Sequence, residues 1–319
     1  MASTRVLLTG ASGLFGANFL WQYAKRFDII AVAHQHPVSG AAETITLDVT
    51  QDAAVQEAVR RVRPHVIVHA AAMTGVDACE EAPEAAMALN AGATGSLARA
   101  AHVVGAYVIA LSTDYVFNGA KGMYTEDDPP KPLGVYARTK WLGEQAALSR
   151  CPNATVLRTT LYGWNAQPKE SFAERVIHGA ESGKPATAFT DMYWSPILAN
   201  DLADAVAALI EHPTPGLFHA AGRERCSRYE FACVVAEAFG YDPKTTVRSG
   251  RLADTTFKAP RPSDASLDVS RFERALGVTL SGYRKGIARM RTLADEGLVP
   301  QLQRLIGPVP QNSCGTSRA

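Results

Sequence analysis

The chain has 319 residues, and 32 Lys plus Arg against 31 Asp plus Glu leave a net charge of +1. That balance excludes a nucleic-acid binder relying on bulk positive charge, and it excludes a polyacidic tail. The length allows one large domain or two ordinary ones, and 47% hydrophobic against 20% charged residues is an ordinary globular composition.

Short apolar runs alternate with helical patterns through the first half. Val6-Leu7-Leu8 precedes a predicted helix over 13–27, and Ile29 to Ala33 reads as the next strand. Thr44 to Leu47 is followed by a helix over 52–61, and Val66-Ile67-Val68 by one over 85–104. Val108 to Leu111 precedes a helix over 135–148, and Thr155-Val156-Leu157 closes the series. Buried strands separated by helices imply an α/β fold: a Rossmann-type, doubly wound parallel sheet covered on both faces.

Beyond about residue 158 the rhythm is irregular. Helices are predicted over 171–179, 199–210, 228–239, 269–276 and 286–294, with a strand at Leu217-Phe218-His219. The expected division is a cofactor domain over 1–158 and 186–216. A smaller, discontinuous substrate lobe takes 159–185 and 217–307, and 308–319 is a loose tail.

The five cysteines, Cys79, Cys151, Cys226, Cys233 and Cys314, are odd in number and contain no CxxC pair. They read as reduced thiols of a cytoplasmic protein, not as a disulfide framework or zinc site. Neither a charged leader with an apolar stretch nor a run of ~18 apolar residues occurs, so no signal peptide or membrane span is expected. The eight histidines form no HExxH, and no catalytic metal is expected.

The first strand runs into Thr9-Gly10-Ala11-Ser12-Gly13-Leu14-Phe15-Gly16. Gly10 permits a tight turn, Gly13 a close approach of backbone to pyrophosphate, and Gly16 close packing of helix on strand. The following helix N-terminus offers free N–H groups to an anion, so Ser12, Leu14 and Phe15 join the glycines as expected cofactor contacts. At the end of the second strand stands Ala33-His34-Gln35-His36, where a carboxylate would favour NAD. His34 and His36 can donate to a 2′-phosphate, which tilts the expectation to NADP(H), with NAD(H) possible.

Tyr136 and Lys140 stand four residues apart in a predicted helix and share a face. Hydride transfer to a carbonyl leaves an oxyanion that must be protonated. A tyrosine of pKa about 10 serves poorly unless a nearby ammonium stabilises its phenolate. Ser112 and Thr113 end the preceding strand, at the edge where ligands of open α/β folds bind. Either hydroxyl can orient the reacting oxygen beside Tyr136.

The TGxxGxxG turn with YxxxK resembles the extended branch of the short-chain dehydrogenase/reductases. The segments His69 to Asp77, Ser112 to Phe117, Tyr136 to Lys140, Leu157 to Thr160, Asp191 to Pro196 and Arg261 to Leu267 resemble the dTDP-4-dehydrorhamnose reductase family over about 5–290. The resemblance implies reduction of the 4-keto group of a nucleotide-linked 6-deoxysugar, with Thr113, Tyr136 and Lys140 catalytic. It implies that Asp48 and Val49 meet the adenine and that Ala70, Ala71 and Ala72 lie under the cofactor together with Ser112. Thr74, Val76, Tyr115, Phe117, Trp164 and Arg261 are the implied substrate contacts. Leu161 replaces a Trp common in the family, and Gly134-Val135 replaces the commoner Asn-Val before Tyr136.

Arg158, Arg261 and Lys258 are candidates for the substrate diphosphate. Trp164 and Trp194 fit either stacking on a ligand or core packing, and His219 reads as a core histidine. Two other functions share the fold. One is a sugar-nucleotide epimerase or dehydratase, against which Asp114-Tyr115 stands in place of an Asp-Glu pair. The other is a non-catalytic cofactor-binding module similar to the regulatory subunit of methionine adenosyltransferase. The expected assembly is a monomer or homodimer.

Overall fold

Seven parallel strands form the central sheet of the computed structural model, which describes residues 3–307. They are β1 (Arg5–Thr9), β2 (Asp28–Ala33), β3 (Glu43–Thr46), β4 (Val66–His69), β5 (Tyr107–Thr113), β6 (Ala154–Thr159) and β7 (Gly216–His219). Their spatial order is β7-β6-β5-β4-β1-β2-β3. Every residue of β4, β5 and β6 is buried, which is why these strands read as unbroken apolar runs. Chain order reverses at β1, so a crevice opens at the carboxyl ends of β1 and β4, where Thr9 is in register with His69.

Each face of the sheet carries its own core. Phe15 and Phe19 of the helix Leu14–Tyr23 pack with Leu202 and Val206 of the helix Ala199–Glu211 on one face. Val55 and Val59 of Asp52–Val62 pack with Leu97 and Ala101 of Ala93–Val104 on the other. The helix predicted over 85–104 begins earlier, at Pro83, and widens into a π-helical turn at Met87–Gly92. That turn directs Asn90 inward, where its amide takes the N–H of Met73 at 2.8 Å and donates to the Met73 carbonyl at 3.1 Å. No periodicity argument reveals such a bulge.

The second lobe has a separate core around Trp164, Val176, Phe231, Tyr283, Ile287 and Met290. Capping boxes start two of its helices: Ser171 with Glu174 at Phe172–Glu181, and Ser227 with Glu230 at Arg228–Ala238.

The structure moves the expected domain boundaries. The strand placed in the lobe at 217–219 pairs in parallel with β6 and closes the main sheet. Phe272 of Ser270–Leu276 packs against Phe218 of that strand, so this helix also joins the main core. Conversely, Ala186–Phe189, placed in the cofactor domain, pairs with Val247–Gly250 in a two-stranded sheet apart from the main one. Short strands of this kind carry no periodic signal, and only their long-range partners decide where they belong. The expected tail over 308–319 lies outside the described residues.

Two buried histidines weaken the fold in acid. His69 lies between the hydroxyls of Thr9 (2.7 Å) and Thr94 (3.0 Å). His219 meets the carbonyls of Tyr124 (3.0 Å) and Asp268 (3.2 Å) through Nδ1. Burial pushes both down to about 3 from 6.5. The unfolded chain therefore binds more protons between these values, and stability present above pH 6.5 is lost as pH falls toward 3. The two rings together are expected to lower the free energy of urea unfolding by about 4 kcal/mol between pH 7 and pH 5, an effect that the raised carboxyls of Asp114, Glu126 and Asp201 partly offset. Equal stability at the two values would contradict this.

Candidate active site

The glycine turn is built as its spacing implies. Gly10 has φ +69°, and a Cβ on it would come within 2.6 Å of the Ala71 nitrogen. Ala70 and Ala71 therefore lie directly against the turn. A Cβ on Gly16 would come within 2.2 Å of the Gly10 carbonyl oxygen. Gly13 is the N-cap of Leu14–Tyr23, and no side chain caps that helix. Its first-turn amides are free for an anion, although the Phe15 ring itself is buried in the core. These features fit a dinucleotide diphosphate: a close backbone approach and uncapped amides. Gly16→Ala is expected to abolish dinucleotide binding, read by quenching of intrinsic fluorescence. Retained affinity would show that the turn is only structural.

His34 is exposed and His36 half-buried just past β2. Asp48 accepts from the Thr50 amide (2.9 Å) and hydroxyl (2.7 Å), and these bonds hold its carboxyl below the usual range, with His34 adding a smaller effect. The Val49 side chain packs into the core.

At the end of β5 the catalytic candidates meet. The Thr113 hydroxyl donates to Asp114 Oδ1 at 3.1 Å and accepts the Tyr115 N–H at 3.2 Å. Tyr136 lies at the start of the helix Val135–Arg150, with its ring edge-on to Tyr115 at 6.1 Å between centroids. Burial pushes its phenol above its ordinary value; the Thr113 hydroxyl opposes this, and Asp114 and Tyr115 add to it. The Lys140 ammonium donates to the Leu111 carbonyl at 2.7 Å. Burial pulls it down to about 8, against the attraction of Glu144. One of its three protons is engaged there, and two remain for ligand hydroxyls.

Behind Lys140 is a charge pair that sequence reasoning missed. Glu144 and Arg158 are each 1% exposed, and they meet through bonds of 2.7 to 3.2 Å. The Ser112 hydroxyl donates to the same carboxylate. Glu144 follows Lys140 by four residues and shares its helix face, which is the signal that could have found it.

Several expected contacts are corrected. Arg158 neutralises Glu144 and is sealed from any diphosphate. Ser112 turns its hydroxyl to Glu144, not to the cofactor side. Phe117 is fully buried, stacked on Tyr124 at 4.1 Å. Trp164 is a core residue of the lobe, its indole N–H bonded to the Met290 carbonyl at 2.9 Å. Apolar and aromatic residues give the same sequence signal in a core as in a pocket, so only packing separates them. His219 is in the core, as expected.

Other candidates remain near the opening. Thr74 is exposed and receives a 2.8 Å bond from Lys169 of the lobe, while Gln167 donates to the Ser12 carbonyl at 2.9 Å. This lobe loop thus reaches across to the phosphate turn, which sequence reasoning did not foresee. Ala72 and Val76 are half-buried beside Thr74. Arg261 pairs with Asp77 at 2.9 Å and borders a cleft of about 360 Å³ together with Leu252, Thr256 and Phe257. Lys258 is exposed and pairs with Glu81. Arg228, also missed, lies 3.3 Å from the centre of the Trp194 ring and faces Tyr115 and Asp114.

The model of the family described as "RmlD substrate binding domain" matches residues 4–295. The chain belongs to this family. Among proteins similar to it, methionine adenosyltransferase 2 subunit beta of Mus musculus is 34% identical over 296 residues, covering 89% of this chain and 86% of the relative. A probable dTDP-4,6-dihydroxy-2-methyloxan-3-one 4-ketoreductase of Streptomyces antibioticus is 36% identical over 295 residues, covering 90% and 93%. A crystal structure of dTDP-4-dehydrorhamnose reductase from Bacillus anthracis, in complex with NADP, superposes with a TM-score of 0.81 at 27% identity, covering 91% and 99%. The family assignment agrees with the motif resemblance. The RmlD-family fold places the Gly10 turn, Thr113 and Tyr136 along one edge of the sheet.

Proposed function

We propose that this RmlD-family chain is a nicotinamide-dependent reductase of the 4-keto group of a nucleotide-diphosphate 6-deoxysugar. The observation that carries the reading is the junction of Thr113, Tyr136 and Lys140 beside an uncapped glycine turn. A dihydronicotinamide cofactor, held by the Gly10–Gly16 turn, would supply the hydride that reduces the keto carbon and leaves the electron pair on its oxygen. Tyr136 gives its proton to that oxygen, and the Lys140 ammonium stabilises the phenolate that remains. Thr113 holds the reacting oxygen in place. Tyr115, Thr74, Val76 and Arg261 face the sugar nucleotide, and Arg228 adds a cation on that side.

His34 and His36 support a preference for NADP(H), since neither repels a 2′-phosphate. The NADP-bound relative lends the same support. The test is oxidation of NADPH and NADH against a panel of nucleotide-linked 4-keto sugars. Stoichiometric NADPH loss supports the reductase, whereas sugar conversion without net oxidation indicates an epimerase.

The likeness to methionine adenosyltransferase 2 subunit beta supports a second reading, a non-catalytic subunit bound to a synthetase. Retention of Thr113, Tyr136 and Lys140 weighs against it. Capture of a synthetase, together with inertness toward every keto-sugar, would favour it.

A further inference from the structure

Thr113 has one hydroxyl proton, and the structure gives it to Asp114. One lone pair of the same oxygen takes the Tyr115 N–H. In this arrangement Thr113 has no proton for a substrate oxygen, although its hydroxyl also lies within reach of the Tyr136 phenol. Asp114 is 2% exposed, and its second oxygen, Oδ2, has no well-formed hydrogen bond among the described residues, the nearby Thr160 hydroxyl favouring its charged form only from a distance. A buried carboxylate with an unpaired oxygen is poised to take up a proton.

We propose that Asp114 is a positioning residue: by holding or releasing one proton it decides whether the Thr113 hydroxyl points at the carboxyl group or at the reacting oxygen. This rests on the reductase reading above and deepens it. Ionised Asp114 takes the Thr113 proton. Neutral Asp114, protonated from solvent, donates its own proton to the Thr113 oxygen. The Thr113 hydroxyl then turns outward, and Tyr136 is free to protonate the alkoxide.

The surroundings set where the exchange occurs. Burial raises the Asp114 carboxyl to about 6, against Arg228 and the hydroxyls of Thr113 and Thr160. The titratable and charged groups facing it are Arg228 from the helix Arg228–Ala238, Tyr136 from Val135–Arg150, and Tyr115 beside it. Arg228 itself is stacked on Trp194, within the fields of Cys226 and Arg175. Arg228 keeps the carboxyl from rising further, so its neutralisation shifts the exchange to higher pH.

The test has two arms. The first uses protein carrying ¹³C-carboxyl aspartate, with no cofactor or substrate. One resonance, identified by its loss in Asp114→Asn, is expected to titrate with a midpoint near 6. The midpoint is expected to rise in Thr113→Val and in Arg228→Gln. An unmoved midpoint in Thr113→Val would overturn the proposal.

The second arm is the pH profile of keto-sugar turnover. In the wild type, turnover is expected to fall about tenfold per pH unit above the midpoint. In Asp114→Asn the profile is expected to be flat across that range, because the amide N–H donates to Thr113 as the neutral acid does. Persistence of the limb in Asp114→Asn would also overturn the proposal. If no sugar is turned over by the wild type, the reductase reading fails, and the resonance titration alone decides whether Asp114 governs Thr113.

Discussion

Tyr136→Phe is expected to lower keto-sugar turnover by about three orders of magnitude while changing NADPH affinity by less than about twofold. In the proposed reaction the phenol O–H is the proton source for the alkoxide, and phenylalanine removes it at nearly constant volume. The ring stays edge-on to Tyr115, so packing at the start of the helix Val135–Arg150 is kept. The glycine turn at the end of β1 is untouched, which is why binding and turnover separate. Turnover is read as substrate-dependent NADPH oxidation and affinity by fluorescence titration. Turnover within a factor of a few of the wild type would remove Tyr136 from the mechanism.

Glu144→Ala is expected to destabilise the protein by about 3–5 kcal/mol. The loss comes less from the broken pair than from what remains, an Arg158 guanidinium 1% exposed with no carboxylate to face. A double replacement, Glu144→Leu with Arg158→Met, is expected to recover most of that loss, because two apolar side chains leave no uncompensated charge. Activity is not expected to follow stability. Glu144 supports the charged form of Lys140, which burial has already drawn down to about 8. Without Glu144 the lysine is neutral over more of the neutral range, and turnover there falls even in the stable double variant. Urea midpoints and pH–rate profiles separate the two effects. A double variant as unstable as Glu144→Ala would show that the pair's worth lies in its geometry, not in charge balance.

Both results turn on one helix face. Tyr136, Lys140 and Glu144 recur every four residues along Val135–Arg150, and in the proposed reaction they carry the proton donor, its stabilising cation and the anion that favours that cation's charged form. The first two were recognisable from sequence because the chemistry demands their types at that spacing. The third shares that spacing, but its ion pair was not readable, because its partner, Arg158, lies on β6 and meets it only when that strand pairs with β5.

The sequence by itself determined the parallel sheet, the glycine turn and the Tyr136–Lys140 pair. Each is local: apolar runs, glycines at 10, 13 and 16, and a four-residue spacing, all readable within one strand–turn–helix unit. Tertiary structure alone decided the rest. It buried Arg158, Phe117 and Trp164, assigned Gly216–His219 to the main sheet, and brought Arg228 to the site beside Asp114. It also gave the Thr113 proton to Asp114. The physical reason is that charge, burial and hydrogen-bond direction depend on neighbours that are distant in the chain, and a residue's type does not name its partner. With a net charge of +1, the chain holds its polar chemistry in a few desolvated contacts that only folding brings together.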